Sequence, residues 1–152
     1  MVGDIIRILV DGDSCPVIDI TEKIEKKHNL KLLIFVDYAH ELELNYGEIV
    51  KMDTENQSVD MEIVSRSEAG DIIITQDYGL AAIVLGNGVY VINFYGKRYT
   101  EKNIDNLLMR RHHNAKMRRA GKSHPTHSKR TKEDDKKFKD GLIKVIEENH
   151  AE

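Results

Sequence analysis

The chain has 152 residues, of which 40% are apolar and 32% charged, so it is long enough to bury one core, and we expect a single domain over 1–152. The lone Cys15 excludes an internal disulfide and a cysteine-rich zinc module, while the lack of a basic leader followed by a long apolar run predicts a cytoplasmic protein with no membrane partner. The formal net charge of -3 hides an asymmetry: residues 110–132 hold nine Lys and Arg and no Asp or Glu, leaving 14 basic against 26 acidic residues elsewhere.

Short apolar runs alternate with helical patterns along the first hundred residues. The runs lack polar alternation, as expected of parallel strands covered on both faces, and lie at 5–10, 32–36, 49–52, 72–75 and 89–92. Helices are predicted between them at 16–28, with Pro16 in the first turn, at 58–68, with Ser58 as the N-cap, and at 78–85. Helical crossovers between parallel strands predict a three-layer α/β/α sandwich with a central, mostly parallel five-stranded sheet.

The last third of the chain predicts a turn or short hairpin followed by two C-terminal helices. Residues 93–100 form the turn, and Thr100 can cap a helix that continues into a basic helix and loop at 110–132. A final helix at 131–149 starts near Thr131, with Asp134 three residues on to complement the cap. Its apolar side chains share one face, so we expect this helix to dock on the body.

Two aspartates one residue apart follow the first strand. Side chains two apart in an extended chain share a side, so Asp11 and Asp13 would repel by about 3 kcal/mol at an effective dielectric near 20. Three interpretations account for the pair: a hard cation such as Mg²⁺ or Mn²⁺ lies between them, one carboxyl takes up a proton, or Asp13 turns away to cap the following helix. We favour the cation.

Two further acids are expected at the same edge of the sheet, where open α/β folds bind ligands. Asp60 falls in the first turn of the 58–68 helix, and Asp77 follows the fourth strand in TQD. Helix-dipole and turn preferences explain either residue alone. The order of the four acids along the chain, however, matches the layout of PIN-like metal-dependent nucleases.

Three longer strings extend this match to almost the whole chain. They are DGDSCP at 11–16, GDIIITQDYGLA at 70–81 and GKRYTEKNI at 96–104. With them the chain resembles the YaiI/YqxD family, proteins of poorly defined function with a PIN-like fold. Two positions depart from the family's pattern: Gln57 replaces a frequent aspartate, which weakens the case for a second metal, and His124 with Pro125 replaces a Gly-Pro pair.

The resemblance implies a site and a chemistry. In PIN-like nucleases an acidic cluster holds one or two divalent ions that activate water for phosphodiester hydrolysis. Carried over residue by residue, the catalytic and metal-binding acids are Asp11, Asp13, Asp60 and Asp77, with Ser14 and Thr75 supporting them and Mg²⁺ or Mn²⁺ as the cofactor.

The basic segment predicts a surface for a nucleic acid, with RNA favoured over DNA. Phosphate contacts require cations, and an acidic body needs a cationic surface to hold a polyanion. The candidate phosphate contacts are Lys97, Arg98, Arg110, Arg111, Lys116, Arg118, Arg119 and Lys122. A solvated cationic surface without a ligand is the competing interpretation of the same charges.

Two other functions fit parts of the sequence. A non-catalytic nucleic-acid or protein-binding module with a degenerate site is consistent with Gln57. A haloacid-dehalogenase-like phosphatase also begins with a strand and D-x-D, using the first Asp as nucleophile. Its later acids lie close together in one loop, whereas here an apolar strand separates Asp71 from Asp77, which disfavours it.

Overall fold

The computed structural model describes residues 5–13, 15–37, 44, 46–52, 58–119 and 129–151. In chain order these form six strands and five helices: β1 (Arg7–Asp11), α1 (Ile18–His28), β2 (Lys31–Asp37), β3 (Glu48–Met52), α2 (Val59–Arg66), β4 (Ile72–Ile74), α3 (Tyr78–Val84), β5 (Tyr90–Ile92), β6 (Arg98–Tyr99), α4 (Ile104–Arg119) and α5 (Lys132–Ala151). No helix in these ranges combines the length and apolarity that crossing a membrane requires.

The six strands form one sheet in the order β3-β2-β1-β4-β5-β6. All neighbours pair in parallel except β5 and β6, which form an antiparallel hairpin. The predicted α/β class and mostly parallel sheet are therefore confirmed. The difference is a sixth strand of two residues, which the hairpin at 93–100 adds to the five expected.

Helices cover both faces of the sheet. On one face α1 and α5 pack on side chains such as Ile8, Ile34 and Ile72. On the other face α2, α3 and α4 pack on Leu9 and Phe35 among others. Side chains alternate between the faces of a strand, so the unbroken apolar runs of β1, β2 and β4 follow from burial on both sides.

Caps fix several helix boundaries. The Ser58 hydroxyl accepts a hydrogen bond from the Met61 N–H at 3.1 Å, as the sequence predicts. Thr131 and Asp134 form a reciprocal capping box at the start of α5, with bonds of 2.9 and 3.2 Å. The prediction for Pro16 was wrong, because α1 begins at Ile18 and the proline lies in the turn before it.

An ion pair joins β1 to β4 at the amino edge of the sheet. The Arg7 guanidinium donates to both carboxylate oxygens of Asp71, at 3.0 and 2.6 Å. Asp71 precedes β4, so it lies at the opposite edge from the residues that follow β1 and β4. Because Asp71 and Asp11 lie at opposite edges of the sheet, they cannot form a phosphatase-like site together.

Candidate active site

The strand order reverses between β1 and β4, which places a crevice at their carboxyl ends. From β1 the chain continues outward to β2 and β3 on one side, and from β4 to β5 and β6 on the other. Open α/β sheets bind ligands at such a switch point. Asp11 ends β1, and Thr75 to Asp77 directly follow β4.

Thr75 connects the acids of the two strands. Its hydroxyl donates to Asp11 Oδ2 at 3.0 Å and accepts the Asp77 backbone N–H at 3.1 Å. Burial raises the pKa of Asp11 to about 6, with added repulsion from the carboxylates of Asp60, Asp13 and Asp77, although the Thr75 bond opposes the rise. Asp11 is therefore a half-buried acid whose charged form is disfavoured by burial and by the neighbouring carboxylates.

Asp60 and Asp77 form a carboxyl pair. Asp77 caps α3, because its Oδ1 accepts the N–H groups of Gly79 and Leu80 at 2.8 and 3.2 Å. Asp60 lies in the first turn of α2 and is hydrogen-bonded to the Asp77 side chain. Burial raises the pKa of Asp60, and this bond and the charge of Asp77 raise it further. The negative charge of Asp77 therefore makes the ionised form of Asp60 less favourable.

Asp13 lies at the rim of the cluster. Gly12 is pressed against β2, where an added Cβ would come within 2.6 Å of Ile34 Cγ2, and its N–H donates to the Phe35 carbonyl at 2.8 Å. Asp13 then accepts the N–H of Asp37 at 3.2 Å. The N-cap of α1 is Val17 and makes no side-chain cap bond, so the capping interpretation of Asp13 was wrong.

The charges of Asp13, Asp60 and Asp77 all act on Asp11, so the four predicted acids lie at the same edge of the sheet. Their oxygens are the hard donors that Mg²⁺ and Mn²⁺ prefer, and burial first, then the neighbouring carboxyl groups, raise the pKa values of Asp11 and Asp60. Across the described ranges, however, no three His, Cys, Asp or Glu groups stand close enough together to ligate one ion. The chemistry fits a divalent cation held by one or two carboxylates with water in the remaining positions, which is the usual protein environment of Mg²⁺.

Cys15 is not a nucleophile in this arrangement. Burial raises the pKa of its thiol to about 11, and the charge of Asp11 raises it further. The thiolate is the reactive form, so this environment disfavours a nucleophilic role, and the half-buried side chain packs against the hydrophobic core.

The predicted phosphate contacts are scattered. Arg98 is ion-paired with Glu148 of α5 and its guanidinium lies 4.9 Å from the centre of the Tyr90 ring, so this charge is engaged away from the acids. Those found exposed are Lys97, Arg110, Lys116 and Arg119. Those outside the described part of the chain are Ser14, Lys122 and the side chains of Arg111 and Arg118.

Arg130 was missed by sequence reasoning. It donates to the Phe94 carbonyl and to Asp135, both at 2.7 Å, and its charge acts on Cys15 beside the acid cluster. It belongs to the basic segment, but only the docking of α5 shows that it returns to the carboxyl edge.

An open α/β sheet with a carboxylate cluster at its switch point defines a three-layer α/β protein with an acidic crevice. Comparison with known families makes this specific. The family model described as "Uncharacterized BCR, YaiI/YqxD family" matches residues 9–148, and the chain belongs to this family, which confirms the resemblance carried by its three motifs.

Relatives in other bacteria cover nearly the same length. Proteins named "UPF0178 protein" are 45% identical over 140 residues in Clostridium kluyveri (92% of both chains), 46% over 140 residues in Clostridium tetani (92% and 96%) and 44% over 143 residues in Alkaliphilus oremlandii (94% and 92%). Among solved structures, a variant of Rae1 (YacP) from Bacillus subtilis aligns with 97% of this chain and 100% of its own at 11% identity and a TM-score of 0.45.

Proposed function

We propose that this protein is a metal-dependent nuclease that hydrolyses phosphodiester bonds in RNA, in preference to DNA, at the carboxylate cluster. The observation that carries the proposal is that Thr75 bonds to both Asp11 and Asp77 at the switch point, while the charges of Asp60, Asp13 and Asp77 act on Asp11. Half-buried like charges repel one another unless a cation neutralises them. A divalent cation is the ligand that this donor set selects.

The residues have distinct roles in this proposal. Asp11 and one carboxylate of the Asp60–Asp77 pair would hold the ion with water in its remaining positions, Asp13 adds an acceptor at the rim, and Thr75 keeps Asp11 in position by its hydrogen bond. The ion, Mg²⁺ or Mn²⁺, supplies charge that activates water and stabilises the developing charge on the phosphate. The cap bonds from Gly79 and Leu80 fix the position of Asp77 Oδ1.

The test is cleavage of a fluorescein-labelled single-stranded oligoribonucleotide with and without Mn²⁺. Wild type should cleave only with the ion, and Asp11→Asn should lower kcat by about a hundredfold or more, because ion-assisted charge stabilisation is worth several kcal/mol. Asp140→Asn, an exposed site on α5, is the matched control and should cleave like wild type. Cleavage without the ion, or the same cleavage rate in Asp11→Asn as in wild type, would contradict the proposal.

Thermal melts give a second measurement that does not depend on turnover. Asp11→Asn should leave the ion-free protein equally or more stable, because it removes a buried charge from a cluster of like charges. Mn²⁺ at a hundred times its Kd should stabilise wild type by about 2.7 kcal/mol and the variant much less. Equal shifts in both proteins would place the ion elsewhere.

A non-catalytic binding module is the second candidate. It is favoured by the absence, within the described residues, of any three-ligand group at the cluster. Metal-dependent binding of the oligoribonucleotide without cleavage, lost in Asp11→Asn, is the result that distinguishes this module from the nuclease.

A further inference from the structure

A groove leads away from the acid cluster between α2 and α3. Both helices begin at the carboxyl edge of the sheet, α2 after β3 and α3 after β4, and both run back toward the amino edge. Asp60 and Asp77 lie at their first turns. The space between the helices is a cavity of about 630 Å³ that starts at these two acids.

The groove is apolar beyond the acids. Its lining residues come from one stripe of each helix and are Met61, Val64, Ser65, Gly79, Leu80 and Ile83. Met61 is 69% exposed and Ile83 61% exposed, whereas Leu80 forms a floor at 2%. Large apolar side chains left in water around a cavity mark a surface that a ligand or partner covers.

We infer that this groove binds the base of the nucleotide whose phosphate lies at the acid cluster; the inference rests on the proposed function and adds a base subsite to it. A phosphate cannot occupy the apolar part, since desolvating its charge there is too costly. A base is uncharged and flat, and sulfur and aliphatic groups pack well on an aromatic face. The groove opens at the acids, so a base in it stays attached to a phosphate beside the proposed ion.

The charged side chains that line the groove favour a neutral base over an anion as the occupant. Its charged side chains are Asp60 and Asp77, both acidic and both at one end. An anion is repelled at that end unless an ion intervenes, while the neutral base contacts Met61, Leu80 and Ile83. The cavity volume is in the range of small-molecule sites, so one base fits with room for its sugar. To enter, this base must be unstacked from its neighbours.

The experiment compares a fluorescein-labelled oligoadenylate with the same strand carrying abasic nucleotides. Binding is measured in Ca²⁺ and cleavage in Mn²⁺, for wild type, for the double variant Met61→Ser, Ile83→Ser, and for Met109→Ser. Met109 is 71% exposed on α4 and does not line the groove, so it is the matched control. Thermal melts check that the exposed substitutions leave the fold intact.

Wild type should bind oligoadenylate roughly five- to tenfold more tightly than the abasic strand. This preference corresponds to the lower end of the binding free energy expected for stacking one base. The double variant should lose this preference and raise KM by a similar factor with kcat within about twofold, as loss of uniform binding predicts. Met109→Ser should match wild type.

Three results would overturn the inference. If wild type cleaves in Mn²⁺ but the double variant keeps its base preference, the groove is not a base subsite while the nuclease proposal stands. If wild type neither binds nor cleaves either strand, both fail. If the double variant instead changes only the sedimentation of the protein, the groove is a contact between protein chains.

Discussion

Thr75 directly follows β4, and its hydroxyl forms hydrogen bonds with two aspartates of the acid cluster. It donates to Asp11 and accepts from the Asp77 N–H, which uses the donor and one acceptor of a hydroxyl. Valine has the same branched shape and would suit a buried strand end equally well. Only the hydroxyl satisfies both neighbours, so the choice of threonine at this buried position follows from the two aspartates.

Glu25 is a buried acid on α1, away from the acid cluster. Glu25 is 6% exposed, and its Oε2 has no hydrogen-bond partner in the described part of the chain. The neighbouring Glu22 accepts the N–H groups of Tyr46 and Gly47 at 3.0 and 3.4 Å. Burial, and then the charge of Glu22, raise the pKa of Glu25 from 4.5 to about 7.

This pKa predicts the pH dependence of stability at Glu25. The folded protein holds the proton more tightly than the unfolded chain, so stability falls as pH rises from about 4.5 to about 7. Glu25→Gln should remove this loss and raise Tm at pH 8 by about 2–4 °C, the shift for roughly 1 kcal/mol in a chain of this size. At pH 5 the gain should be smaller. Glu147→Gln, exposed on α5, is the control, and equal gains at both pH values would exclude burial of the charge as the cause.

At the scale of elements, α5 docks on the β5–β6 turn through two glycines. Gly96 has φ +79°, and a Cβ there would lie against the Lys137 carbonyl oxygen. A Cβ on Gly141 would come within 2.5 Å of the Gly96 carbonyl oxygen. The close backbone approach lets Phe138 and Leu142 reach full burial on the sheet.

Gly141→Ala should therefore destabilise the protein although alanine is the better helix former. The gain in helix propensity is about 1 kcal/mol, but the new methyl meets backbone, which cannot rotate away, and overpacking costs about 1–3 kcal/mol. We expect a net lower midpoint in urea denaturation. Gly86→Ala is the control, since nothing lies within 4 Å of the added Cβ. A midpoint that rises in Gly141→Ala would show that α5 yields at this contact.

Local sequence signals predicted the elements but not the contacts between them. Apolar runs located five strands, and the caps at Ser58 and at Thr131 are short-range patterns that a sequence displays directly. The Asp60–Asp77 pair and the ion pair of Arg98 with Glu148 depend on how distant helices pack. No spacing along the chain encodes that packing, which is why Arg98 was expected to be available for a phosphate contact.

At the scale of the whole molecule, the cationic residues of α4 and the acid cluster belong to the same side of the sheet. Helices α2, α3 and α4 pack on one face, and α1 and α5 on the other. The described basic side chains of α4, Arg110, Lys116 and Arg119, are exposed. A strand that enters the crevice over α2 and α3 therefore has cations available on the next helix.

The salt dependence of binding tests these cations. Each phosphate contact that is lost should lower the log-log salt slope by roughly 0.7 to 0.9, so Lys116→Ala with Arg119→Ala should lower it by about 1.5. The control is Lys136→Ala with Lys139→Ala, two exposed lysines on α5 at the opposite face. The measurement is a titration of the fluorescein-labelled strand in Ca²⁺ over a range of salt concentrations. Identical slopes in the two double variants would assign the α4 charges to the solvated surface.

The central position of β1 has a consequence for synthesis of the chain. Asp11 emerges early, but its hydrogen-bond partner Thr75 follows 64 residues later. Until β4 has been translated, β1 is an edge strand of an incomplete sheet. Its unpaired N–H and C=O groups can then form hydrogen bonds with a wrong strand. Parallel pairing over such a distance is also slow to form. The nascent protein is therefore most vulnerable to wrong pairing along the same strand that later ends in the acidic crevice.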